Sequence, residues 1–234
     1  MKEAIVVMQK EIKEILKRKV QLIIGIFFPV YFGFMMAPLI KKVDPALVSF
    51  MFNNLIFYLV LMLGLFESFI YMGEVFLREK ASGSIETLLC TPLSLKKIWL
   101  GKVLAVVLVG YIFALLGGGV IFVFANQFSE MNLSLTPPLF AHIFLVVPLF
   151  MTAIVGLIGF AQFLLGMKEF RILNFIIFFV FFFGLSFTRN VIGGGFAVTW
   201  ITVSVFGTIA IILVLLTGYF TKFLSKERIV TTIP

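Results

Sequence analysis

EVFLREKASGSIETLLCTPLSLKKIWLGK, residues 74–102, is the longest polar interruption between two strongly apolar runs of the chain. It holds Arg78, Lys80, Lys96, Lys97 and Lys102, five of the nineteen basic residues. Residues 74–80 continue the preceding apolar run as helix. Ser82, Gly83 and Ser84 break that helix, and either serine can cap the next one. Ile85, Leu88 and Leu89 make one apolar face of a helix of about two turns over 85–90. Thr91 and Pro92 stop it, because the residue before a proline is pushed away from α geometry. Ser94 caps a new helix, in which Leu95, Ile98 and Trp99 lead into the next apolar run. A two-turn helix does not hold in water by propensity alone, so its apolar face must dock on this chain, on the membrane or on a partner.

Outward from this stretch the chain is 62% hydrophobic and 13% charged, against roughly 25% charged residues in soluble domains. Several apolar runs approach about 20 residues, the length that crosses a ~30 Å hydrocarbon core as α-helix. Continuous apolar runs exclude an outer-membrane barrel, whose strands alternate. The formal charge of +8 is spread as loop anchors rather than gathered in a patch, so no nucleic-acid partner is expected. The fold class is therefore all-α, a polytopic integral membrane protein with the lipid bilayer as its surroundings.

Residues 1–19 read as an amphipathic helix lying at the membrane interface. Ile5, Met8, Ile12, Ile15 and Leu16 form its apolar stripe, and Lys10, Lys13, Glu14 and Lys17 take the other side. Six spans follow at 20–40, 47–72, 103–125, 139–166, 172–187 and 197–220, with 74–102 between the second and third. Pro29 and Pro38 are expected to bend or end the first span, and Pro148 to interrupt the fourth. Gly117, Gly118 and Gly119 permit close helix contact or a break in the third. The segment 172–187 is short for a span, and the Gly193, Gly194, Gly195 run follows it. With the amino terminus inside, sixteen of the nineteen basic residues fall on the cytosolic side and only Lys41, Lys42 and Arg189 fall outside. This predicts a cell-membrane protein with both termini cytosolic, and it puts 74–102 in the cytosol.

The chemistry expected of the chain is limited. Gly101–Lys102 is followed by Val103 and lacks the rest of a phosphate-binding loop. With one histidine, His142, and one cysteine, Cys90, neither a His/Cys metal site nor a nucleophile–His–acid set can be assembled. No catalytic residue, metal or resident cofactor is predicted, and the chain is not expected to be an enzyme. Glu67 stands apart. It lies inside the second span, where a charge costs at least ~2.5–3.5 kcal/mol on insertion scales. Its innocuous alternative is a place near the cytosolic end, paired with Arg78 or Lys102. Glu67 and Glu74, seven residues apart on one helix face, are candidates for an inner vestibule or for gating.

The order Arg78-Glu79-Lys80-Ala81-Ser82-Gly83-Ser84-Ile85-Glu86-Thr87-Leu88-Leu89, then Thr91-Pro92-Leu93-Ser94 and Gly101-Lys102, resembles the signature of type-2 ABC transporter permeases. Ser84 stands where that family usually has Thr, and Ile85 where it has Leu. The resemblance covers the layout of the whole chain, while the motif itself spans about 25 residues. It implies a permease subunit of an ATP-binding-cassette exporter, with residues 85–90 as a coupling helix docked on a separate ATP-binding subunit. ATP and Mg would be bound by that partner and not by this chain. Leu88 and Leu89 would be the docking anchors, Glu79 and Glu86 would add polar contacts, and Gly83 and Pro92 would bound the helix. A second copy or a paralogous permease would complete the transporter, and a re-entrant hairpin would join the fifth and sixth spans. The cargo, whether ion, drug, lipid, haem or polysaccharide, is not implied. The alternative is a partner-independent membrane carrier or scaffold that uses Glu67.

Overall fold

The structure, a computed structural model, describes residues 2–36, 38, 45–83, 90–129, 132–165, 172, 175, 176, 179, 183, 197–225 and 229. Among these, five helices are long and apolar enough to cross a membrane, and no strand occurs. The expected span at 172–187 lies outside the described residues except at five positions, as does the Gly193, Gly194, Gly195 run.

Helix α1 (Lys2–Leu16) precedes the spans. Helix α2 (Lys19–Met36) is the first of them. It continues through Pro29, which therefore does not end it, and stops before Pro38. Helix α3 (Pro45–Met72) runs on through a π-helical turn, Gly73–Leu77, into a last α turn, Arg78–Ala81. Helix α4 (Leu95–Ser129) is unbroken through its three consecutive glycines. Gly117 and Gly118 serve contact, with Pro29 and Leu63 against the first and Val60 against the second. Helix α5 (Pro137–Leu164) also contains a π turn, His142–Val146. Pro148 follows that turn inside a continuous helix, so the irregularity sits just before the proline and not at it. The wider turn removes the clash between a proline ring and the preceding carbonyls. Helix α6 (Trp200–Phe220) is capped by Thr199, whose side chain accepts from the Thr202 N–H.

α3 and α4 are the central pair, 67% and 50% buried over their most apolar windows, whereas α2 and α6 are 17% buried. Their contact combines aromatic pairs, Phe52 with Phe122 and Tyr71 with Phe113, with close approaches at small residues. At Gly110 an added Cβ would lie 2.5 Å from Ser68 Oγ and 3.0 Å from the Ser68 nitrogen. Small residues that let backbones approach are the usual means of helix association where lipid removes the hydrophobic drive. α2 packs on α4, and α6 packs on α5. The outer faces of α2 and α6 expose Ile23, Phe27, Ile201 and Leu215, a surface suited to hydrocarbon. At the far end from residue 83, Asn53 Oδ1 accepts from the Thr136 N–H and hydroxyl and so ties the connection before α5 to α3.

The length of the central pair positions the site. The apolar helices Leu47–Lys80 and Leu95–Phe128 each have 34 residues. At ~1.5 Å per residue each reaches about 50 Å, roughly 20 Å beyond a hydrocarbon core. Each is therefore longer than one crossing needs, and residues 82–94 connect one end of each.

Candidate functional site

Near the end of α3, its π turn brings the Val75 carbonyl to the Lys102 ammonium at 2.8 Å. Lys102 also reaches Glu11 and Glu79, each at 2.9 Å, and its side chain is fully buried. One ammonium thus holds α1, the end of α3 and the start of α4. Glu79 is shared with Lys10 of α1 at 3.3 Å. On the other side of α3, Lys80 donates to the carbonyls of Leu165 at 2.5 Å and Phe163 at 3.3 Å. These lie in the last turn of α5 and at the cap residue that follows it, where the carbonyls have no helical partner and the negative end of the helix dipole lies. Arg18 pairs with Glu74, which also takes Arg78 at 3.9 Å and the Gln21 amide. The result is a charged platform that binds α1, α2, α3, α4 and α5 together at one end of the bundle.

Glu11 explains how α1 is docked. Its side chain is 3% exposed, and burial pushes its carboxyl above the usual range while the Lys102 ammonium pulls it back. The face of α1 that packs on α4 is Ala4, Val7, Glu11 and Ile15. The expected stripe shared only Ile15 with it, and Ile5 and Leu16 are exposed. The rotation has a local cause. Gly101 has no side chain, and a Cβ there would come 2.6 Å from the Ala4 carbonyl and 2.7 Å from Val7 Cβ. The Gly101, Lys102 pair thus admits the backbone of α1 and neutralises its buried acid.

Of the residues predicted to couple to a partner, Glu79 is in the platform. Gly83 follows the last turn of α3 with φ of +69°, and no atom lies within 4 Å of its would-be Cβ. Backbone conformation alone calls for glycine there, as at the left-handed end of many helices. Pro92 is exposed in the bend that precedes α4. Glu86, Leu88 and Leu89 lie outside the described residues, and so does the predicted helix 85–90.

The two vestibule candidates separate. Glu74 lines a polar cavity of about 450 Å³ between α1 and the end of α3, with Glu14, Lys17 and Arg78 among its other walls. Glu67 is fully buried elsewhere, and neither Arg78 nor Lys102 pairs with it. Its oxygens have no hydrogen-bond partner among the described residues. Gly25 of α2 covers it, since a Cβ at that position would overlap the Tyr71 hydroxyl and lie 3.2 Å from Glu67 Oε2. Tyr71 in turn donates to the Gln21 carbonyl at 3.4 Å and stacks on Phe113 of α4.

The buried Glu11–Lys102 pair and the Lys80 cap were not foreseen. An acid falling in the register of Ala4, Val7 and Ile15 was the available signal for the first. The second joins residues 85 positions apart and had none. No family model, curated protein or solved structure matches the chain.

Proposed function

We propose that the chain is the membrane-spanning subunit of an ATP-binding-cassette exporter of the type-2 permease kind, driven by a separate ATP-binding subunit. The observation that carries this is mechanical. The segment 82–94 leaves from and returns to two long helices whose ends are clamped together by Lys102 and Glu79. A force on that segment has no slack in which to dissipate at the ends of α3 and α4, so it tilts both helices as a unit. The signature-like order of residues across 78–102 gives the force a source, a nucleotide-binding partner that grips residues 85–90. The permease's only energy input is that partner's differential affinity for two arrangements of the platform.

In this account Leu88 and Leu89 anchor the partner, Glu79 and Glu86 add polar contacts, and two permease halves, identical or paralogous, face each other across the pathway. The chain lies in the cell membrane with the platform cytosolic. The test is a double substitution, Leu88→Asp with Leu89→Asp, in the full chain co-expressed with an ATP-binding subunit encoded beside it. Membrane insertion is expected to be unchanged, while co-purification of the partner and permease-stimulated ATPase are lost. Normal co-purification with that double variant, or transport by the chain alone under an ion gradient, contradicts the assignment.

A further inference from the structure

Six acids lie among the described residues, and five of them, Glu3, Glu11, Glu14, Glu74 and Glu79, have a cationic partner within 4.0 Å. Glu67 has none, is 0% exposed, and keeps both oxygens without a hydrogen bond among the described residues. An isolated carboxylate in so dry a place is far more costly than the neutral acid. The groups that face it offer no charge. Beside it meet Gly25 of α2, the Tyr71 hydroxyl of α3, which is bonded to the Gln21 carbonyl of α2, and the Phe113 ring of α4. Beyond Lys102, α4 carries no Asp, Glu, Lys or Arg, and α5 carries none throughout. The one titratable ring of α5, His142, is engaged with the Phe57 carbonyl. The nearest charged acid on the same helix, Glu74, is already held by Arg18.

We propose that Glu67 is a proton-binding site closed by α2. In the closed arrangement the carboxyl is the neutral acid, and it releases its proton to water only when α2 lifts away around Gly25. The proton is the ligand because α2 packs directly over the carboxyl, where a Cβ at Gly25 would lie 3.2 Å from Glu67 Oε2. A single methyl group at Gly25 would already collide with the Tyr71 hydroxyl. α2 is the moving part because it is the least buried of the helices around Glu67, 17% against 67% for α3 and 50% for α4 over their most apolar windows. Tyr71 is the latch, bonded across the gap to the Gln21 carbonyl. Loss of the proton leaves a carboxylate that only incoming water can solvate, so the ionised state favours the open one. This needs no ATP-binding partner and stands or falls apart from the exporter assignment.

The test uses the full chain in liposomes, comparing wild type with Glu67→Gln by infrared spectroscopy and by hydrogen exchange of α2. Wild type is expected to show a protonated-carboxyl C=O band at neutral pH that Glu67→Gln lacks and that fades at alkaline pH. Exchange over α2 is expected to rise with that fading in wild type beyond the rise in Glu67→Gln at the same pH, which carries the intrinsic pH dependence. Glu67→Asp gives an independent check, in which the band persists at a shifted frequency. Identical carboxyl bands in wild type and Glu67→Gln, or α2 exchange with the same pH dependence in both, overturns the proposal.

Discussion

Lys102 is the residue on which the platform turns, because its single ammonium meets Glu11, Glu79 and the Val75 carbonyl with no exposed surface. Removing one member of a buried ion pair leaves an uncompensated charge and costs about 3–5 kcal/mol. Lys102→Met should therefore lower the thermal unfolding midpoint of the detergent-solubilised chain sharply. Adding Glu11→Gln to it should restore a large part, since the stranded carboxylate is then gone. Lys97–Glu3, at the same end but exposed on both sides, is worth little, as surface pairs generally are. The sign of the pH effect is set by Glu11, whose carboxyl burial raises. A group that holds its proton more tightly when folded favours the fold below its unfolded pKa, and that advantage is lost as pH rises through the folded value. Lys102→Met removes the charge that opposes this shift, so its penalty should shrink at mildly acidic pH and grow at mildly alkaline pH. Unfolding midpoints across that range check it.

Among the elements, α1 shows how a short amphipathic helix becomes part of a membrane domain. Its hydrophobic periodicity was legible, yet the stripe chosen from it shares only Ile15 with the docked face. Periodicity identifies the helix but ranks faces by apolar content, and the docked face carries Glu11, which only its distant partner makes acceptable. Gly101 is the complementary feature on α4. Gly101→Val should push α1 off α4 by overpacking against the Ala4 carbonyl, at a cost of about 1–3 kcal/mol. Limited proteolysis should then cut within α1 while the long helices stay protected. The two π turns obey the same logic. Each lies where a carbonyl leaves regular pairing for a side chain, Val75 for Lys102 and Ile143 for the Tyr111 hydroxyl, and sequence patterns of period 3.6 do not report such single-residue insertions. The end of α3 at Ala81 and the start of α4 at Leu95 were legible, because Ser82, Gly83 and Ser94 mark helix ends by local chemistry.

At the scale of the whole molecule, hydropathy and charge distribution made the membrane class legible, since both are summed over many residues. The pairing of Lys80 with α5 and the cover that Gly25 forms over Glu67 were not, because they depend on which helices become neighbours. In the proposed arrangement the end that carries Lys80 and Lys102 is the cytosolic one, as the positive-inside bias predicts. Cys90, exposed and the chain's single cysteine, lies within the segment that joins them. A membrane-impermeant maleimide should accordingly label it in inside-out vesicles and spare it in right-side-out ones. The same thiol gives the most direct test of the exporter account. With a photoactivatable cross-linker on Cys90 of the otherwise native chain, co-expressed with the neighbouring ATP-binding subunit, illumination should join the two polypeptides with a yield that changes when ATP is added. Efficient labelling of Cys90 with no cross-link to that subunit, with or without ATP, would contradict it.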